Sequence, residues 1–234
     1  MQGFYGWLSQ LRLESLFTML LTVCSCLLCV TVHECCHGLA AYAMGDPTAK
    51  QAGRLTLNPL RHIDLMGLVM LALVKFGWAK PVPVDMRRFR NPRAGMALTA
   101  LAGPAGNVVL TAVAMLLHGV CYFYELYYES AFWAYLDTFC VYTAVLSAGL
   151  GVFNLIPVPP LDGSKVLFSV LPPKWYLLLM RYERYGMIAM MVLLLTGVLD
   201  TPLTFLREGL IGLMDPIAVW PYRLLVGLYF GEAL

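Results

Sequence analysis

Charge is scarce in this chain. Asp, Glu, Lys and Arg together make up 13% of its 234 residues, about half the share found in an ordinary soluble domain, and they leave a net charge of +2. A water-soluble globule so poor in charge and 60% hydrophobic would expose apolar surface that it has no polar side chains to cover. A soluble enzyme is thereby excluded. A disordered tail is excluded by the same composition, and no basic stripe runs along the chain, which removes nucleic acid from its partners. What is abundant is uncharged sequence with a mean hydropathy of +0.72, which makes the lipid bilayer the solvent.

Ser15 to Val32 carries no charge and continues in helix-compatible sequence to about Met44, where Gly45-Asp46-Pro47 ends it. This is enough to cross a hydrocarbon layer about 30 Å thick and too long for the apolar core of a signal peptide. Ala94 to about Gly119 and Ala131 to about Ile156 read as two further spans. Gly186 to Leu199 is short by itself and borrows Tyr182 and Tyr185 as interfacial anchors. From Leu203 on, Asp215-Pro216 and Pro221 break the pattern and leave its crossings open. The expected fold is an all-α polytopic membrane protein with at least four transmembrane helices and five or six membrane segments. It forms one domain over 1–234, with a catalytic core at about 15–170 and C-terminal membrane segments at about 182–230.

Between the first two spans, Asp46 to Asp64 contains the alternating Arg54-Leu55-Thr56-Leu57 and the turn Asn58-Pro59, which predicts a short membrane-associated β-hairpin. Ile63 to Phe76 is apolar but would reach only about 21 Å as a helix, so it is expected to dip into the membrane or lie on it. Orientation follows from the loops. Lys75 to Arg93 carries six basic residues against Asp85, whereas Val120 to Ser130 carries Glu125 and Glu129 and no base. The positive-inside rule puts the first loop in the cytoplasm and the second outside, with a multi-pass protein of the cell membrane as the expectation. The basic cluster Arg87-Arg88-Phe89-Arg90-Asn91-Pro92-Arg93 can also attract anionic lipid or dock a soluble part of a substrate.

Inside the first span stands His33-Glu34-Cys35-Cys36-His37. At a helical pitch the two imidazoles share one face, one turn apart, and can reach a single Zn²⁺. Glu34 lies beside that face, placed to accept a proton from water. Three ionisable groups in five residues of a membrane helix are costly unless they face partners. Two histidines do not complete a zinc site, and His118 falls at the far end of the second span. Asp162, in the proline-rich run from Asn154 to Gly163, follows the third span as it returns to the cytoplasmic side; its other role would be to cap the next helix. Asn107 either lines a water channel or bonds helix to helix beside Gly103 and Gly106.

His33 to His37 on a membrane helix, Ala102-Gly103-Pro104-Ala105-Gly106-Asn107 in the next span and the Asn154 to Gly163 run, in that order, resemble the site-2 protease family of intramembrane zinc metalloproteases. Asn58-Pro59-Leu60-Arg61-His62-Ile63-Asp64 and Gly77 to Val84 are similar to the family's intervening segments. The resemblance implies that His33, His37 and Asp162 bind one Zn²⁺ per chain and that Glu34 is the catalytic base. By the same resemblance Asn154 polarises the scissile carbonyl or holds the substrate strand. The substrate would be a transmembrane helix of another protein, cut in or near the bilayer, with the active site toward the cytoplasm. Cys35-Cys36 fill the variable positions, Leu65 stands where the family often has proline, and no PDZ or CBS-type module is expected.

Two other readings stay open. Five of the seven cysteines lie in the first span, and Cys26, Cys29, His33 and His37 project toward one side of it, which would suit a soft-ligand site for metal storage or transport. A catalytically dead member of the family would lack the base or a ligand, and all four residues are present. No disulfide framework is read from Cys121 and Cys140, His62 and Asp64 are expected as polar loop residues at the interface, and the oligomeric state stays open.

Overall fold

Among the described residues, four apolar runs form helices long enough to cross a membrane: Leu16–Ala43, Pro92–Tyr128, Ala131–Asn154 and Asp200–Phe230. The chain is an integral membrane protein. The computed structural model describes residues 13–64, 66–67, 79–172, 185–186, 189–190, 192–194 and 196–231. In chain order the helices are α1 (Leu13–Ala43), the single turn α2 (Thr48–Gln51), α3 (Pro92–Tyr128), α4 (Ala131–Asn154), the short α5 (Asp162–Val170) and α6 (Asp200–Phe230).

Local sequence explains the main boundaries. Pro92 opens α3 with its ring pre-set for a first turn, and the Asn91 side chain accepts from the Ala94 N–H at 3.3 Å, which satisfies one of the donors left open there. At its far end Glu129 takes a left-handed conformation and its N–H returns to the Glu125 carbonyl at 2.9 Å. The helix therefore runs through 120–128, which the sequence presents as a loop: no proline or glycine interrupts Val120 to Tyr128, and the two glutamates bracket only its last turn. Its 37 residues span about 55 Å, more than the hydrocarbon layer requires.

Small residues hold the bundle together. Ala114, Met115, Ala144, Met214 and Ala218 form a buried cluster joining α3, α4 and α6, as expected where close backbone packing replaces a hydrophobic driving force. Pro216 and Pro221 do not break α6, which is continuous from Asp200 to Phe230. In hydrocarbon, leaving the helix would strand many more backbone groups than the two that the prolines free.

The expected β-hairpin is not formed. Among the described residues there is no strand, only one antiparallel bridge between Ile63 and Ala79. The alternation at Arg54 to Leu57 is misleading because its backbone bonds are made locally. The Arg54 N–H bonds to the Ala49 carbonyl, the Thr56 N–H to the Arg54 carbonyl, and Thr56 Oγ1 accepts from the Asn58 N–H. Asn58 then caps a 3₁₀ turn at Pro59–Arg61, while the buried Arg54 guanidinium donates to the Arg61 carbonyl. Most of 63–76 lies outside the described residues, as does Tyr182, and the 186–199 stretch is described only in part.

A buried carboxylate ties the two sides of this loop region together. Asp46 Oδ2 accepts from the Asp85 N–H at 2.7 Å and Oδ1 from the Thr48 N–H at 3.0 Å. Burial by itself would raise its pKa, but these bonds, the Thr48 hydroxyl and nearby Arg88 hold it below the usual carboxylate range. The segment after α1 is thereby clipped to the segment that leads into α3.

Candidate metal centre

One turn of α1 carries both histidines, and their Nε2 atoms lie 3.0 Å apart. Asp162 Oδ2 is 3.1 Å from His33 Nε2 and 3.0 Å from His37 Nε2. All three side chains are buried, at 5%, 8% and 6% exposure for His33, His37 and Asp162, so water does not solvate the cluster from outside. Among the described residues these three form the one group of His, Cys, Asp or Glu close enough to share a metal ion.

The chemistry of the donor set fits zinc. His37 Nδ1–H donates to the Thr99 carbonyl at 2.7 Å, which leaves Nε2 as a lone pair. Asp162 Oδ1 accepts from Lys165 Nζ at 3.0 Å, leaving Oδ2 to face the histidines. An ionised carboxylate oxygen and a bare imidazole nitrogen can only accept, so two acceptors converge beside a third nitrogen in a buried place. A cation resolves that arrangement. Tetrahedral zinc with bonds of about 2.0–2.1 Å sets its ligands about 3.3 Å apart, close to the spacing seen.

Two glycines make the convergence possible. A Cβ on Gly103 of α3 would strike the His37 ring at Cε1 and Nε2 and would lie 2.7 Å from His33 Cε1. Only a hydrogen fits where α3 crosses the two imidazoles. A Cβ on Gly163 would run into the Leu155 carbonyl and come within 2.6 Å of the Ile156 oxygen, so the chain leaving α4 can fold flat against the start of α5 and deliver Asp162. Gly103→Ala is expected to cost about 1–3 kcal/mol of stability by overpacking and to weaken zinc binding as well. Thermal melting and zinc titration of the same detergent preparation measure both, and an alanine variant with unchanged zinc affinity refutes the crowding.

Glu34, half-buried, accepts from the Val82 N–H at 2.9 Å through Oε2. Val82 sits between Pro81 and Pro83, which have no N–H to offer, so its N–H is the one such donor across those three residues. Asn154 is not brought to the cluster by any direct bond: its amide donates to the Leu150 carbonyl of its own helix at 2.9 Å. His62 is held inside the loop region. It is buried, with Nε2 2.9 Å from the Thr56 carbonyl, an oxygen that also accepts from Cys35 Sγ.

The cysteine stripe of α1 does not gather into a site. Cys29 Sγ faces the Thr143 carbonyl of α4 at 3.6 Å, and Cys24 and Cys26 are exposed. Lys165 and Thr99 join the site without being singled out by sequence. Lys165 stands three residues after Asp162, a spacing that brings side chains together on a helix and could have been read. The Thr99 contribution is a backbone carbonyl, which leaves no mark in a sequence.

Comparison with known proteins agrees with this site. The chain is 39% identical over 166 residues to "Putative zinc metalloprotease YwhC" of Bacillus subtilis, covering 71% of this chain and 76% of that protein. It belongs to peptidase family M50. The model of that family matches residues 116–197. "Putative zinc metalloprotease Rip2" of Mycolicibacterium smegmatis is 30% identical over 185 residues, covering 77% of this chain and 69% of its own. Rip2 of Mycobacterium tuberculosis is 28% identical over 205 residues, covering 85% and 76%. No solved structure matches the chain. This M50 chain thus joins a family of zinc metalloproteases with its own His, His and Asp already in contact.

Proposed function

We propose that this M50 member is an intramembrane zinc metalloprotease that hydrolyses a peptide bond in or near the transmembrane segment of a membrane-protein substrate, as in regulated intramembrane proteolysis. The observation that carries the reading is the convergence of His33 Nε2, His37 Nε2 and Asp162 Oδ2 within 3.1 Å inside an apolar helix assembly. One zinc per chain, held by those atoms, would supply Lewis acidity toward a peptide carbonyl and acidify water.

The remaining work belongs to the chain's own groups. Glu34 receives the proton of the attacking water and passes it to the leaving amine; its bond from the Val82 N–H aims the carboxylate. The Thr99 carbonyl orients His37, and Lys165 holds one oxygen of Asp162 so that the other stays turned to the histidines. Asn154 acts on the substrate side, once its amide gives up the Leu150 carbonyl. The basic run from Lys75 to Arg93 supports a cytoplasmic active site in the cell membrane.

The test uses the full chain in proteoliposomes with a mixture of single-span peptides, cleavage read by mass spectrometry. Cleavage is expected to stop on chelation and to return on adding one equivalent of zinc. Purified protein that holds no zinc, or cleavage indifferent to chelation, defeats the reading.

A further inference from the structure

Asn107 approaches the three ligands from behind. It is fully buried on α3, and its backbone carbonyl accepts from Ser147 Oγ of α4 at 2.9 Å and from Thr111 Oγ1 at 2.8 Å. The backbone is pinned at this point, so the side chain has a fixed origin. Its amide lies 3.2 Å from His33 Nδ1, the ring nitrogen opposite the one that faces His37 and Asp162.

The two ends of a side-chain amide have nearly the same shape, and only their partners decide which end faces which neighbour. With the NH₂ end toward His33, Nδ1 must be bare, its proton sits on Nε2, and His33 cannot be a ligand. The amide oxygen is then also buried with no partner, which is costly in a low-dielectric interior. With the oxygen toward His33, Nδ1–H donates to it and Nε2 is bare; the NH₂ then takes the position that has no partner, so it is the state of His33, not the other end of the amide, that separates the two orientations.

We propose that Asn107 is a positioning residue for His33, its amide oxygen accepting the Nδ1 proton and so fixing the tautomer in which Nε2 is a metal ligand. The inference rests on the metalloprotease reading above. It assigns His33 the kind of partner that the Thr99 carbonyl already gives His37, through a side chain that substitution can reach. Helix packing beside Gly103 and Gly106 calls for a residue of this size and does not call for an acceptor.

Two substitutions separate these roles. Asn107→Leu keeps the volume and removes the hydrogen bond; Asn107→Asp can accept but not donate. Zinc affinity of the full chain is measured by competition with a chromophoric chelator, alongside circular dichroism and thermal melting of the metal-free protein. Asn107→Leu is expected to weaken zinc by about 10–100-fold, the usual cost of losing such a partner, while Asn107→Asp stays within about threefold of the wild type. Unchanged affinity in the leucine variant overturns the proposal, and so does equal weakening in both. If the leucine variant fails to fold, the aspartate variant decides: retention supports the acceptor role, and a loss of about tenfold or more overturns it. A wild type without zinc defeats the metalloprotease reading itself, a different result from a wild type that binds zinc and an indifferent Asn107→Leu.

Discussion

Asp162→Ala is expected to strip zinc from the purified chain. Loss of a direct ligand should weaken binding by more than the roughly 10–100-fold that the loss of an outlying partner costs. The variant should still fold, because the Lys165 side chain that pairs with Asp162 is 40% exposed and can turn to water, where an ion pair contributes little. The measurement is metal content per chain after dialysis, wild type against variant, with helix content checked by circular dichroism. Zinc retained at one per chain in the variant would refute the role of Asp162, and retention that then disappeared with Cys29 would revive the thiolate site.

The second large effect is on cleavage with metal binding intact. In Glu34→Gln the amide oxygen can still accept from the Val82 N–H, so the loop contact and the zinc should both persist. A glutamine cannot take up a proton, and losing a general base costs about 10²–10⁴-fold in rate. The expected result is full zinc occupancy with cleavage of the transmembrane peptides reduced by that factor. Cleavage at the wild-type rate would remove Glu34 from the mechanism.

Much of this site was readable because helical spacing is rigid. His33 and His37 had to share a face of α1 once that stretch was helical, and the cost of ionisable groups in a span made their clustering meaningful. Asp162 was reachable by topology, since a chain that crosses, returns and unwinds through prolines must come back to the same membrane side. The hairpin failed for an instructive reason. Alternation at Arg54 to Leu57 is a statement about side chains, whereas strand pairing needs free backbone groups, and here those of Arg54 and Thr56 are already engaged. The proline breaks expected in α6 failed because a rule learned in water does not carry over to a medium that offers the backbone no other partners. A helix-to-helix bond from Asn107 was one of two readings the chain allowed, but which groups Gly103 and Asn107 meet depends on which face of α3 turns to α1.

The ligand pair His33 and Asp162 is separated by 129 positions, with the long helices α3 and α4 between them. During synthesis the chain therefore carries its two histidines and its base long before it carries a finished centre. Metal that lowers the free energy of the assembled state does so only after α3 and α4 have been inserted and the segment beyond them has folded back. A nascent chain of this protein is, by its order of residues alone, unarmed until α4 is in the membrane.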